Sequence, residues 1–581
     1  MSTYLTAQSL SHTYTSKALF EDLSITVNGG DKIGLIGHNG CGKSSLLKLL
    51  DGQYEPSEGH IATSKQCLVS YVEQHIPTEL QCRTVLDALT ETLPAEDYWR
   101  AELLLSELSF SDSDWQMPVT NCSGGQQMRL LLARAIINDP DLLLLDEPSN
   151  HLDLPSLMWL EQFLSNWKGA FVLVSHDQTL LDSVTNTTWI MRDQSLHHFS
   201  LPCSEARKEL KERDEQDKLR YLSEQKEIDR IEKSAKRLAV WGKVYDNEDL
   251  ARKAKTMFAR KERLEEDQTE LSEGAPWSLK LQGEVLPANR LLEIAPFTLK
   301  PPKSELSLFD MLEMRIKSGD RVAMMGSNGC GKSTLMNLLY QLSLSDEEIA
   351  PGKENLEYPV TFHDKCRLGY YDQSLEQLDD NDTLTDALSN FASINDEQAK
   401  RALISAGFEY VRHTQKVDSL SGGERARLLF VGLTLARYHL LFLDEPTNHL
   451  DMEGKEELIE TLNEFEGAIV LVSHDRSLIE QSCNRFWLIN DGYLTEYLSA
   501  VDAYKQLSEP LVFSDENKEA KVQMQASTDL DDGLDEEQLL ERLIELETLL
   551  EEDKQRKPKH QKLNLQVQWK EEIDRVTSQL E

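Results

Sequence analysis

Two eight-residue stretches carry the clearest chemistry in the chain. "GHNGCGKS" spans Gly37–Ser44 and "GSNGCGKS" spans Gly326–Ser333; both fit G-x-x-x-x-G-K-[ST]. Each follows an apolar run that reads as a strand, and each precedes a run that reads as a helix start. In that context Gly37, Gly40 and Gly42 let the backbone close around phosphate oxygens, as do Gly326, Gly329 and Gly331. His38, Asn39 and Cys41, like Ser327, Asn328 and Cys330, complete the loops. Lys43 and Lys332 would reach the β/γ-phosphates, and Ser44 and Ser333 would hold Mg²⁺. Ser45 and Thr334 open the helices that follow.

Downstream, "LLLLDEP" and "LLFLDEP" read as buried parallel strands that end in two carboxylates. Asp146 and Asp444 are placed to bind Mg²⁺, directly or through water. Glu147 and Glu445 are placed to polarise an attacking water. "CSGGQQMRLLLARA" (122–135) and "LSGGERARLLFVGL" (420–433) are Gly-rich turns opening amphipathic helices, a second anion site in each half. Ser123, Gly124 and Gly125 form one; Ser421, Gly422 and Gly423 form the other.

These motifs need a scaffold built twice. "LFEDLSITVNGGDKIGLIGHNGCGKSSL" from Leu19 aligns without gaps on "LFDMLEMRIKSGDRVAMMGSNGCGKSTL" from Leu308. "LLLLDEPSNHLD" matches "LLFLDEPTNHLD", and "GAFVLVSHD" matches "GAIVLVSHD". This is duplication of a domain, not a short-period solenoid. The expected fold class is α/β: two P-loop domains, 1–202 and 276–507. Between them, 203–275 is rich in Lys, Arg, Glu and Gln. Apolar spacing there (Ile228, Ile231, Ala235, Leu238; then Leu250, Ala254, Met257, Leu264) predicts two helices around a short tip near Gly242. Residues 508–534 are polar and acidic, a flexible linker by composition. In 535–581, Leu539, Leu543, Leu546 and Leu550, then Trp569, Ile573, Val576 and Leu580, predict an antiparallel coiled-coil hairpin.

Composition narrows the setting. The chain has 581 residues, 101 Asp+Glu against 61 Lys+Arg, and a formal net charge of −40. That excess argues against a nucleic-acid surface spread over the whole chain, but permits a local one, since a basic patch acts over about a Debye length, roughly 8–10 Å. No apolar run reaches the roughly 18–20 residues that span a bilayer, and the N-terminus lacks a signal-peptide core. Eight cysteines show no metal-ligand spacing. A cytoplasmic protein is expected.

P-loop, DEP and Ser-Gly-Gly in each half closely resemble the ATP-binding-cassette ATPases. "SGGQ" and "SGGE" look like the family's signature, and "HLD" (151–153, 449–451) like its D-loop. His176 and His474 match the switch histidine, Gln74 in "YVEQ" and Gln373 in "YYDQ" the Q-loop glutamine, and Tyr14 the adenine-stacking aromatic. The resemblance implies two cassettes packed head to tail with two ATP molecules between them. Site one would use Gly37–Ser44, Gln74, Asp146, Glu147 and His176, closed by Ser421–Gly423. Site two would use Gly326–Ser333, Gln373, Asp444, Glu445 and His474, closed by Ser123–Gly125. Gln74 and Gln373 would join the Mg²⁺ ligands. Two positions depart from the pattern: Cys122 stands where the signature usually begins with Leu, and Lys303 stands where site two needs its aromatic. Phe297 fills that place only if "LKPPK" loops out.

"DEPSNHLD", "DEPTNHLD", tandem cassettes and a basic linker together resemble the F subfamily, over about residues 1–510. This implies a protein that binds ribosomes in its ATP-bound state, its linker directed toward transfer RNA and ribosomal RNA. Ten basic and five acidic residues lie between Ile231 and Arg263. Lys236, Arg237, Lys243, Arg252, Lys253, Lys255, Arg260, Lys261 and Arg263 are the candidates for phosphate, and Trp241 for base stacking. Charged helices between domains also serve as solvated faces. Only 48 residues separate Gln74 from Ser123, little room for the extra helical arm that some members insert there. The alternatives are antibiotic resistance by ribosome protection, and DNA binding or repair through the loop "KQRKPKHQK" of the C-terminal hairpin. The expected species is a monomer with an internal cassette dimer.

Overall fold

Four neighbouring parallel strands deliver four of the motifs in each half. The first half's sheet runs, in spatial order, Val69–Val72, Leu142–Asp146, Ala170–Val174, Lys32–Gly37, Thr187–Arg192 and Ser195–Phe199, the last antiparallel. Leu142–Asp146 and Ala170–Val174 are buried at every position. A strand covered on both faces has no polar side to show, so its sequence is a continuous apolar run rather than an alternation. The sequence leaves the sheet toward Gln74, Asp146–Glu147, His176 and the P-loop at the carboxyl ends of four adjacent strands. Open α/β sheets bind their ligands at such an end.

The second half repeats the order within an eight-stranded sheet: Leu368–Tyr371, Leu440–Asp444, Ala468–Val472, Arg321–Gly326, Arg485–Asn490, Tyr493–Tyr497, Phe309–Met311 and Phe297–Leu299. A three-stranded antiparallel sheet accompanies each half, built on Thr3–Tyr14 and on Leu292–Ile294. These are two P-loop nucleotide-binding folds. The computed structural model describes residues 2–508, except 15–16, 92, 109, 151, 245–247, 267, 269–280, 282, 287–289, 302–306, 346–357, 393 and 449. The acidic stretch after Ser508 and the coiled-coil hairpin expected at 535–581 lie outside the described residues, as do Lys303, Tyr245, His151 and His449.

The linker forms two helices, Cys203–Val244 and Glu248–Glu266, that fold back on each other. Ile228, Ile231, Ala235 and Ala254 are buried between them. Packing rather than helix propensity holds such a pair, since its outer faces are charged. The apolar side chains at the far end of the first helix are exposed: Val240, Trp241 and Val244.

The two halves touch through equivalent positions. Leu154, just after Asp153 in the first half, is buried with Ala323, Met325 and Ile479 of the second. Met452, just after Asp451, is buried with the first half's Leu160, Leu180 and Val184. Each full burial is worth roughly 1.5–3 kcal/mol.

Candidate functional site

One cavity of ≈ 1270 Å³ collects motif residues from both halves. His38–Gly40, Gly42–Ser45, Gln74, Glu147 and His176 line it from the first half. Asn328, Gly329, Gly331–Thr334, Gln373, Ser421–Gly423, Asp444, Glu445 and His474 line it from the second.

The P-loops are shaped by their glycines. Gly42 and Gly331 have φ of 104° and 108°, a left-handed conformation that only glycine adopts without strain. Immediately after them, helices Lys43–Leu50 and Lys332–Ser345 begin, so their free N–H groups face the loop. Lys43 Nζ donates to the carbonyls of Gly37 (2.8 Å) and His38 (3.1 Å). Lys332 Nζ does the same to Gly326 and Ser327, both at 2.9 Å. Each ammonium therefore lies along its loop, where a phosphate oxygen would compete for it. Cys41 and Cys330 turn inward and pack on the hydrophobic cores.

Beside each loop is a strand-end acid pair. Asp146 accepts from Ser44 Oγ and from Tyr71 Oη, both at 3.0 Å. Asp444 has Ser333 and Tyr370 as corresponding partners, and its buried Oδ1 has no hydrogen-bond partner. A serine hydroxyl next to a carboxylate, which at Asp444 keeps one oxygen unused, is a donor set a hard divalent cation takes, and Mg²⁺ fits it. Gln74 and Gln373 line the same cavity.

Glu147 and Glu445 follow at φ 50°, a left-handed conformation that costs a non-glycine residue of order 1–3 kcal/mol. Neighbouring strands hold it: the Glu147 and Glu445 N–H groups donate to the carbonyls of Val174 (3.0 Å) and Val472 (2.9 Å). The sharp turn leaves both carboxyls inside the cavity. Burial raises Glu147 to about 7 and Glu445 to about 8. His176 Nε2 lies 3.1 Å from Glu147 Oε1, and His474 Nε2 lies 3.4 Å from Glu445 Oε1. Burial pushes both imidazoles down to about 3, so they are neutral at pH 7. A buried carboxyl tuned near neutrality, beside a neutral imidazole, can accept a proton from water.

The signature turns differ in position. Ser421–Gly423 line the cavity, whereas Ser123–Gly125 are not among its lining residues. Both serines close a capping box: Ser123 with Gln126, and Ser421 with Glu424. Tyr14 ends its strand, its side chain outside the described set. Phe297 is half-buried and packs edge-on against Tyr358, ring centroids 5.5 Å apart.

Some residues around the cavity had no role assigned from sequence. Asp153 caps helix Leu154–Asn166 with one oxygen and accepts from the Asn328 N–H with the other (3.0 Å). Asp451 caps helix Met452–Glu464, and its Oδ2 lies 3.5 Å from His38 Nδ1. Each P-loop thus meets an aspartate from the other half. Their signal was present in the repeated "HLD". Lys455 had none, for it belongs to no repeated motif; Arg427 stood in the repeated signature stretch, aligned with Arg129, with no role of its own assigned. Away from the cavity, the linker bases divide. Lys236 and Lys261 pair with Glu232, and Arg260 with Glu227. Arg237, Lys243, Arg252, Lys253, Lys255 and Arg263 are exposed.

The family model described as "ABC transporter" matches residues 20–150 and 309–448. ATP-binding cassette sub-family F member 2 of Mus musculus is 31% identical over 541 residues, 86% of this chain and 82% of that protein. Ribosome protection protein VmlR of Bacillus subtilis is 29% identical over 544 residues, 90% of this chain and 93% of that protein. The archaeal ribosome recycling factor aABCE1, solved in complex with the ribosomal stalk protein aP1, has a TM-score of 0.58 at 16% identity, covering 89% of this chain and 98% of that one; the likeness is one of fold. Among the described residues no helix is long and apolar enough to cross a membrane.

Proposed function

This chain belongs to the F subfamily of ATP-binding-cassette ATPases and hydrolyses ATP, and from there we propose that it is a translation factor. It binds the ribosome while ATP holds its cassettes closed, acts on stalled or non-productive ribosomes, and leaves after hydrolysis. One observation carries the reading: a chain of net charge −40 keeps Arg237, Lys243, Arg252, Lys253, Lys255 and Arg263 exposed on the two linker helices. Arg237 and Lys243 stand within four residues of Trp241 in the sequence, and Val240, Trp241 and Val244 remain exposed at the helix end. Basic side chains beside an exposed indole suit RNA, with phosphate for the cations and a base for the ring. The acidic remainder would repel RNA elsewhere.

The two cassettes would pack head to tail, each ATP lying between the P-loop of one and the signature of the other. Such an ATP touches both cassettes only in the closed state, so it favours closure by differential contact. Mg²⁺ held by Ser44, Asp146 and Gln74, or by Ser333, Asp444 and Gln373, would supply positive charge to the β/γ-phosphates. Glu147 and Glu445 would accept the proton of the attacking water, with His176 and His474 orienting them. Both sites would turn over. Similarity to a ribosome protection protein favours drug displacement at the ribosome as a second reading. DNA binding, the other alternative, depends on the hairpin beyond the described residues.

Salt tests the docking. Log affinity for purified ribosomes should fall linearly with log salt, since bound phosphates release counterions. An affinity that stays flat from low to high salt would contradict phosphate-driven docking.

A further inference from the structure

The two halves do not contribute alike to the contact between them. Lys455 lies one turn after Asp451 on helix Met452–Glu464. Its ammonium crosses to the first half and donates to the carbonyl of His176 (3.0 Å). It also pairs with Asp475 Oδ2 (2.7 Å), and 16% of its side chain is exposed. The other Asp475 oxygen caps helix Arg476–Ser482 through the Leu478 N–H (3.1 Å). One cation therefore joins the backbone of one switch histidine to the residue after the other. Asp177, Asp475 and Glu147 all face it; burial opposes the charge, but these carboxylates raise the Lys455 pKa above its usual value.

The repeat places Leu157 where Lys455 stands, and Gln178 where Arg476 stands. Leu157 is buried and has no donor. Arg476 in turn pairs with Glu161 (2.6 Å) of the first half. Lys455 and Arg476 both come from the second half, with Arg207 of the linker pairing with Glu456 beside them, and the one that reaches a switch histidine serves His176.

We propose that Lys455 is a positioning residue for ATP turnover at the first site alone: it anchors the His176 carbonyl and so holds the imidazole beside Glu147, a restraint Leu157 cannot give His474. The proposal rests on the reading that each site turns over with its own glutamate. A restraint on the backbone of a catalytic side chain matters because small misplacements cost large factors in rate. Lys455 acts through His176, so its loss should lower kcat and leave ATP binding nearly intact.

The test uses full-length protein in two backgrounds: Glu445→Gln, in which site one alone hydrolyses, and Glu147→Gln, in which site two does. Lys455→Met keeps the aliphatic stem and removes the charge. It should lower kcat about tenfold or more in the first background and leave KM for ATP within about twofold. In the second background kcat should stay within about twofold. Lys455→Arg, which keeps a donor and guards against misfolding, should restore most of the lost rate in the first. Equal losses in both backgrounds, or no loss in either, would overturn the proposal. If the single glutamate variants were themselves inert, the independent-site reading would fall, and the proposal with it.

Discussion

The two candidate ATP sites share their motifs and differ in their neighbours. Lys43 and Lys332 bond to the same two carbonyls of their loops, and Glu147 and Glu445 share one strained φ. Around them the pairs diverge: Lys455 against Leu157, and His38, 3.5 Å from Asp451, against Ser327. Ser421–Gly423 face the cavity and Ser123–Gly125 do not. The duplication retained the P-loop lysines, the strand-end carboxylates and the switch histidines, and varied groups around them. Unequal sites can then share one mechanism.

The broadest way to break the comparison is to remove both bases. Glu147→Gln with Glu445→Gln should lower steady-state phosphate release by roughly 10²–10⁴-fold, with nucleotide still bound by equilibrium filtration. Each single change should leave measurable turnover. If Glu147→Gln abolished it and Glu445→Gln did nothing, the sites would be one working and one silent.

The D-loop aspartates sharpen it next. Asp451→Ala removes the carboxylate facing His38, and Asp153→Ala the acceptor of the Asn328 N–H. Each also loses a helix cap worth about 1 kcal/mol. Asp451→Ala should raise KM for ATP in the Glu445→Gln background, where site one hydrolyses. Asp153→Ala should do so in the Glu147→Gln background. Steady-state kinetics in the two backgrounds would expose a crossed or shared effect.

The smallest effect concerns the signature serines. Ser123→Ala and Ser421→Ala each break a capping box and should cost about 1 kcal/mol, seen as a drop of a few degrees in Tm. Ser421→Ala should also raise KM for ATP at site one by more than Ser123→Ala raises it at site two, since of the two only Ser421 lines the cavity. Equal kinetic changes would show that Ser123 reaches nucleotide in the working state.

Much of this could be read from the sequence because repetition marks it. Motifs written twice at matching offsets identify strands, loops and carboxylates together, and buried parallel strands announce themselves as unbroken apolar runs. The linker helices were visible in the spacing of Ile228, Ile231 and Ala235. What stayed hidden is what occurs once. Lys455 sits on an ordinary helix, and nothing in "MEGKEEL" says that its ammonium meets His176, 279 residues away. Ion pairs within the linker were equally invisible: spacing identified Lys236, Arg260 and Lys261 as basic, while the fold pairs each with a glutamate.

The central claim is that ATP-closed cassettes present this linker to the ribosome. The direct measurement is sucrose-gradient sedimentation of the Glu147→Gln, Glu445→Gln protein with ribosomes and ATP. A second run neutralises Arg237, Lys243, Arg252, Lys253, Lys255 and Arg263, each to Gln. Co-migration with ribosomes in ATP, absent in ADP and weakened by the six changes, is the predicted result. Absence from the ribosomal fractions in ATP would contradict the account, and co-migration indifferent to the six changes would remove the linker from it.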